Sequence, residues 1–320
     1  MALNLKHKAK VWSGLSESDL SYLVFTAPER YKVYRIRKKT RGFRIIAQPA
    51  RELKDLQRFL MTELLQKLPV HNSATAYLKG CSIRGNAAPH LNSKVLLKLD
   101  FTNFFGSITP KDFDSVIDKQ NLPLSNEDFE FCHQTLFWKN KWSSKIQLSI
   151  GAPSSPMLSN AVMFEFDNNI ATYCKNSEVI FTRYADDITL SANDTQILLK
   201  VKKKIEEQLR KFTSPKLKLN TSKTVIVTKK NRRIITGLVL SNQGKVSVGR
   251  EKKRTLRAKL HRFSRDELCD DDVESLRGDM AFINSVEPDF ILRMKKKYGE
   301  EIIKALFRRK FLYKYDGSAS

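Results

Sequence analysis

The chain has 320 residues, 41% of them hydrophobic, with a formal net charge of +24 at pH 7 and a sequence pI of about 9.9. That length and apolar content exclude a disordered chain or a small stapled module, and suit a core divided among two or three subdomains. The positive excess is spread along the chain, is more than solubility needs, and points to a polyanionic partner, nucleic acid ahead of a membrane surface.

Residues 1–30 read as helical, with Ser16-Glu17-Ser18-Asp19 as a helix start. The first ten residues lack an apolar core of signal-peptide length, and no later run reaches the length of a membrane span. Residues 31–37 and 43–46 predict two strands joined by a basic turn from Lys38 to Gly42, and Pro49 closes the second strand. Leu53, Leu56, Leu60 and Leu64 form one apolar stripe, so a helix follows, with Arg51, Lys54 and Arg58 off the stripe. Residues 72–90 read as loop and contain Gly80, Gly85 and Asn86-Ala87-Ala88-Pro89-His90. The run from Val95 to Leu99 predicts a buried strand that ends in Asp100 and leads into Phe101, Phe104 and Phe105. A carboxylate among aromatics at a strand end is costly unless something coordinates it.

Residues 110–145 read as helical, Trp138 and Trp142 included. In Gly151-Ala152-Pro153-Ser154-Ser155-Pro156, Ser155 should cap a helix that runs through Leu158, Val162 and Phe166. Gly151 should let the backbone approach a ligand closely. Two β-branched and aromatic runs, 179–183 and 188–192, flank Tyr184-Ala185-Asp186-Asp187, which places two adjacent carboxylates at a hairpin turn. Leu198, Val201, Ile205, Leu209 and Phe212 mark an amphipathic helix with a lysine-rich outer face, stopped at Ser214-Pro215. Residues 225–227 and 234–240 read as strands, Asn242 to Gly244 as a turn, and 246–248 as a return strand. From Gly249 the chain is helical and crowded with Arg250, Lys252, Lys253, Arg254, Arg257, Lys259 and Arg262. A last stripe follows at Val273, Leu276, Met280 and Ile283, and a subdomain boundary is expected near 244–249. Cys81, Cys132, Cys174 and Cys269 are far apart, which argues against a zinc site or disulfide framework and suits a reducing cytoplasm.

A strand-end Asp100 and a hairpin Asp186-Asp187, separated by a helical insert, form a carboxylate arrangement suited to two hard divalent cations. Two magnesium ions roughly 4 Å apart can clamp the attacking and leaving oxygens of a phosphoryl transfer, one acidifying a primer hydroxyl and the other neutralising pyrophosphate. Positioning and electrostatics carry such a step without a protein nucleophile.

At these residues the sequence resembles the reverse transcriptases, and among them the bacterial retron reverse transcriptases. Tyr184-Ala185-Asp186-Asp187 resembles the polymerase tetrapeptide of that family, and Leu99-Asp100-Phe101 through Phe105 resembles the motif supplying the first metal aspartate. The 151–156 segment is similar to the motif between them that contacts template and nucleotide. Asn86-Ala87-x-x-His90 and Ile235-Thr236-Gly237 resemble two retron motifs, the second with isoleucine in place of valine. Ile150 stands where relatives have glutamine, which removes a side-chain amide contact to template or nucleotide.

The resemblance runs from about Tyr31 to Val248 and implies an α+β right-hand polymerase. It has a helical extension over 1–30, fingers and palm over 31–243, with a small antiparallel sheet backed by helices, and a basic helical thumb over 244–320. It implies Asp100, Asp186 and Asp187 as catalytic acids, with the Phe101 carbonyl as an added ligand, and magnesium as cofactor, manganese being the expected substitute. Arg44, Phe105, Gly151 and Lys223 would meet the nucleotide, Phe105 as the gate against ribonucleotides. Asn86, His90, Thr236, Gly237, Arg250, Lys252, Lys253, Arg254 and Arg257 would meet RNA. The family copies part of a structured noncoding RNA (msr-msd) into DNA from an internal guanosine 2′-hydroxyl, giving branched RNA–DNA (msDNA) from dNTPs. It relies on host ribonuclease H and often serves phage defence in the bacterial cytoplasm with an effector protein. A group II intron enzyme, with longer C-terminal regions, and an inactive RNA-binding scaffold are the competing readings.

Overall fold

The computed structural model describes residues 3–38, 42–212 and 214–308. Lys39, Thr40 and Arg41 of the expected basic turn lie outside the described residues, as does the end of the expected thumb. By contacts the chain forms two compact units: Met1–Ser82 with Ser93–Thr228, and Ile83–Asn92 with Lys229 onward.

The first unit opens with α1 (Leu5–Ser13) and α2 (Glu17–Thr26). The Asn4 and Leu5 amides donate to the Asp128 carboxylate at 3.1 and 2.5 Å, satisfying free N–H groups at the start of α1. Ser16 starts α2 as expected, its hydroxyl accepting from the Asp19 amide. Strands β1 (Tyr31–Arg37) and β2 (Phe43–Pro49) pair antiparallel from Tyr31↔Pro49 to Arg37↔Phe43. The leucine stripe of α3 (Arg51–Glu63) is buried, Leu53, Leu56 and Leu60 facing inward. Within the 72–90 stretch read as loop, the structure adds α4 (Ile83–Ala87) and a 3-10 turn over Ala88–His90, both of the second unit.

After β3 (Val95–Asp100) and the single turn α5 (Phe104–Ser107) come α6 (Pro110–Lys119) and α7 (Asn126–Leu136). Helix was expected through residue 145, but it stops at Leu136. Residues 138–147 form a hairpin instead, β4 (Trp138–Lys139) with β5 (Ile146–Gln147). Tertiary burial decides this: Trp138 packs with Tyr31, Ala47 and Leu53, while the Asn140 side chain and backbone close the loop onto Trp142 and Lys145.

The expected single helix after Gly151 is two, α8 (Ser155–Val162) and α9 (Phe164–Asn176), which meet at Met163. The cap is Ser154 rather than Ser155, and its side chain makes no capping bond. Then come β6 (Ile180–Tyr184), β7 (Asp187–Ala192), α10 (Thr195–Lys211) and β8 (Val225–Thr228). These strands form one antiparallel sheet in the order β6-β7-β3-β8. Leu158, Phe166, Ile170, Val201 and Ile205 from the three helices join Leu97, Ile188 and Leu190 of the sheet in one core, so the small sheet is backed by helices as expected.

The second unit contains a three-stranded sheet, β9 (Arg233–Ile235), β10 (Leu238–Leu240) and β11 (Val246–Ser247), in the order β11-β10-β9. It continues through α11 (Arg250–Phe263), α12 (Asp270–Val286), α13 (Pro288–Tyr298) and α14 (Glu300–Arg308). Val273, Leu276, Met280 and Ile283 are fully buried, as their spacing predicts. The longer stretch of this unit starts at Lys229, before the expected boundary near 244–249, and β9–β11 pair with one another and not with the four-stranded sheet. Among the described residues no helix is long and apolar enough to cross a membrane.

Candidate active site

The first unit gathers the three predicted acids at one end of its sheet. Asp100 is the last residue of β3 and pairs directly with Asp187, the first residue of β7. Tyr184 pairs with Asp187, so Ala185 and Asp186 alone make the turn, with Ala185 at a φ of 57°. A non-glycine residue seldom adopts that conformation and needs a surrounding structure that imposes it. The surroundings do so here. The Phe101 amide donates to the Asp186 carbonyl at 3.1 Å, and the Asn220 amide donates to the Asp100 carbonyl at 2.7 Å.

Arg183, immediately before the tetrapeptide, completes the support. Its fully buried guanidinium donates to both Asp167 oxygens, to the Asn160 side chain and to the Ala185 carbonyl. Removing one partner of such a buried pair costs roughly 3–5 kcal/mol, because the other is left charged and dry. The Arg183 backbone also exchanges hydrogen bonds with Ser73 and Thr75, and Asn160 donates to the Ala76 carbonyl. Motif reading missed both Arg183 and the 73–77 segment. Only an arginine within an otherwise apolar strand, and a polar residue on the inner face of α8, hinted at them.

Crowding shifts the acids. Asp186 is raised above the usual carboxylate range, first by loss of hydration and then by Asp100, against the pull of Lys223 and Arg44. Asp187 opens toward solvent, yet the cleft withholds enough water to push its carboxyl up to about 6, with Asp186 and Asp100 adding repulsion. Lys223 places its ammonium on both Asp100 oxygens, at 3.0 and 2.8 Å, and that contact raises its own pKa. Among the described residues no group of three or more His, Cys, Asp or Glu side chains forms a ready-made metal cage. The donors nevertheless fit a hard cation: three carboxylates that repel one another, one of them already held by a positive charge.

Of the predicted nucleotide contacts, Lys223 and Arg44 act on this cluster. Arg44, on exposed β2, is near enough to favour ionised Asp186. Phe105 is half-buried and stands edge-on to the buried Phe104 at 5.3 Å, so Phe104 is the core residue of the two. Gly151 has a φ of 129°, and a Cβ there would lie 2.9 Å from the Ala47 carbonyl oxygen. The close approach it permits is therefore to β2, which also donates from the Ala47 amide to the Ile150 carbonyl. Tyr77 was not foreseen. It has a φ of 65°, is 47% exposed, and holds its ring 6.5 Å from that of Tyr184.

The predicted RNA-binding residues lie in the second unit, and the structure separates them. Asn86 and His90 are buried, so neither presents its side chain on the surface. Asn86 donates toward the Thr236 hydroxyl, which donates to the Ile83 carbonyl, and burial lowers His90 to about 4. Thr236 and Gly237, at φ 45° and 82°, form the two-residue turn between β9 and β10. The two motifs thus hold each other, with Gly237 exposed at the turn. On α11, Lys252, Lys253 and Lys259 pair with Asp279, Glu287 and Asp272. More of the basic run is internally neutralised than its acid count implied. Arg250, Arg254 and Arg257 are exposed, with Arg257 over the Phe290 ring.

The sequence model described as reverse transcriptase (RNA-dependent DNA polymerase) matches residues 36–249. The retron Ec83 reverse transcriptase of Escherichia coli is 39% identical over 291 residues, covering 90% of this chain and 93% of its own. The retron Ec86 reverse transcriptase of the same species is 34% identical over 311 residues, covering 93% and 92%. Apo telomerase from Candida tropicalis shares the fold, with a TM-score of 0.51 at 13% identity over 91% of this chain and 64% of that one.

Proposed function

The chain belongs to the reverse transcriptases, on the retron branch, and from that premise we propose that it copies part of a cognate structured RNA into DNA, priming on an internal guanosine 2′-hydroxyl. It is an RNA-directed DNA polymerase with a reverse transcriptase fold. The observation that carries the chemistry is the Asp100↔Asp187 pairing, with Asp186 on the turn beside it and Lys223 across Asp100.

Asp100 and Asp186 hold the reacting oxygens' counter-charge, and Asp187, opening to solvent, is the peripheral acid. Magnesium, bound by these three acids with the Phe101 carbonyl, would acidify the primer hydroxyl and neutralise the leaving pyrophosphate. Lys223 lies beside Asp100 where it can shift onto the leaving phosphates, and Arg44 approaches from β2 to meet the triphosphate. Phe105 flanks the strand-end aspartate where the sugar of the incoming nucleotide would rest. Asn86 acts on RNA by shaping the Thr236-Gly237 turn, His90 by its buried place in the adjoining 3-10 turn, while Arg250, Arg254 and Arg257 supply charge for phosphates. The product is branched msDNA, trimmed of RNA by host ribonuclease H and used with an effector protein in phage defence.

The test is to purify the protein with its nucleic acid and sequence what comes with it. A DNA joined 2′–5′ to an internal guanosine is the expected result. Linear DNA extended from an RNA 3′ end overturns the priming assignment and favours a group II intron-like enzyme.

A further inference from the structure

Tyr77 stands beside the aspartates but belongs to none of the motifs that mark them. The segment before it runs along the edge of β6 that β7 leaves free. Ala74 forms a parallel bridge with Arg183, the Arg183 amide donates to the Ser73 carbonyl at 2.7 Å, and the Thr75 amide donates to the Arg183 carbonyl at 2.8 Å. The Asn160 side chain donates to the Ala76 carbonyl at 2.9 Å and accepts from the Arg183 guanidinium. That guanidinium also donates to the Ala185 carbonyl. One buried network therefore fixes both the Asp186 turn and the residue before Tyr77. Tyr77 itself is left-handed at a φ of 65°, a conformation that a bulky side chain rarely adopts and that clusters at functional sites.

The ring held in this way is 47% exposed and lies 6.5 Å from the half-buried ring of Tyr184. Loss of hydration raises the pKa of its hydroxyl, Asp186 and then Tyr184 add to the rise, and Arg44 opposes it as the weakest of the four influences. The hydroxyl thus feels Asp186 more than Arg44. The strand order β6-β7-β3-β8 puts the two tyrosines on one side of the carboxylates. Lys223, which precedes β8 and rests on Asp100, is on the other. In phosphoryl transfer the attacking and leaving oxygens lie roughly in line, on opposite sides of the phosphorus. With Lys223 toward the leaving phosphates, the attacking hydroxyl belongs on the side of Tyr184 and Tyr77.

We propose that Tyr77, together with Tyr184, seats the guanosine whose 2′-hydroxyl starts synthesis. The proposal rests on the priming reading given above. An elongating 3′ end is held by pairing with the template that it has just copied. The initiating guanosine has copied nothing, so the protein must hold it, and an aromatic ring holds a base by its face. The bond formed is of one kind in both cases: the hydroxyl oxygen attacks the α-phosphorus, pyrophosphate leaves, and the proton passes to solvent. Only the holding of the nucleophile differs, so Tyr77 is needed for the first addition and dispensable for those that follow.

The test uses the full chain with two substrates. One is a 3′-blocked transcript of the RNA that copurifies with the protein, and the other is a DNA primer annealed to a template RNA. Transfer of a labelled deoxynucleotide to the transcript reads initiation, and extension of the DNA primer reads elongation. Tyr77→Ala should lower initiation by about tenfold while primer extension stays at the parent rate. Tyr77→Phe keeps the ring and should retain both activities. Equal losses in both reactions would make Tyr77 a merely structural residue and overturn the proposal. Unchanged initiation in Tyr77→Ala, or lost initiation in Tyr77→Phe, overturns it as well. Failure of the priming reading shows separately: the parent protein would extend the DNA primer but never label the blocked transcript, and the assignment of Tyr77 would fall with it.

Discussion

Asp186 occupies a turn that the chain enters through Ala185 in a left-handed conformation, and the backbone of Phe101 fixes its carbonyl. The fold holds this carboxylate in place against lost hydration and repulsion from Asp100, so its charge does not add to stability. Asp186→Asn should therefore lower DNA synthesis by about a thousandfold or more while RNA binding stays intact. Primer-extension and gel-shift assays on one preparation check both halves, and retained synthesis refutes the assignment. Phe105 is the half-buried ring of the Phe104–Phe105 pair, anchored by its buried neighbour. If it lies beneath the incoming sugar, Phe105→Val should raise ribonucleotide incorporation by about tenfold. Competition between dNTP and rNTP at one template position measures this, and unchanged discrimination moves the gate elsewhere.

At the scale of elements, the short α4 segment is held to the β9–β10 turn, and His90 ends the adjoining 3-10 turn fully buried. Burial lowers the His90 pKa from 6.5 to about 4. The folded state thus keeps this ring neutral where the unfolded chain would protonate it. The resulting stability is complete above pH 6.5 and is lost as pH falls toward 4, by about 3 kcal/mol at most. His90→Gln should flatten the decline in unfolding free energy between those two values, whatever its effect at pH 7.5. Denaturant melts of both proteins across the window provide the comparison, and parallel slopes would show that His90 does not titrate in this way. The β6–β7 hairpin illustrates the same dependence on distant partners, since Arg183 ties its turn to Asp167 on α9.

At the scale of the molecule, the positive excess divides into cations engaged internally and cations left to solvent. On α11 three lysines are paired, whereas Arg250 and Arg254 are exposed. Folded RNA is chosen by shape and unpaired loops more than by groove reading, so a surface of this kind selects through the arrangement of its charges. A hybrid carrying residues 249–320 of another retron enzyme should shift priming toward that enzyme's RNA when both RNAs are offered. A hybrid that still primes only on its original RNA shows that this segment is not the selector.

Much of the fold and its chemistry was legible because local pattern and tertiary demand agree. Apolar spacing predicted α3, α10 and α12, and the β-branched and aromatic runs around Tyr184-Ala185-Asp186-Asp187 predicted a hairpin whose turn carries two acids. The chemistry of a costly strand-end carboxylate, together with the family resemblance, joined Asp100 to them, and the strand pairing Asp100↔Asp187 places Asp100 and Asp187 side by side. What the sequence could not disclose depends on partners far along the chain. Trp138 ends a helix-like stretch by burying against β1 and β2, and Gly151 is required by the backbone of Ala47. Arg183 and Asp167 neutralise each other in the core, Asn86 turns inward to hold a turn 150 residues away, and His90 is buried. A side chain's type and spacing are local properties that a sequence carries directly, whereas burial and pairing are set by which surfaces meet, and only the folded chain decides that.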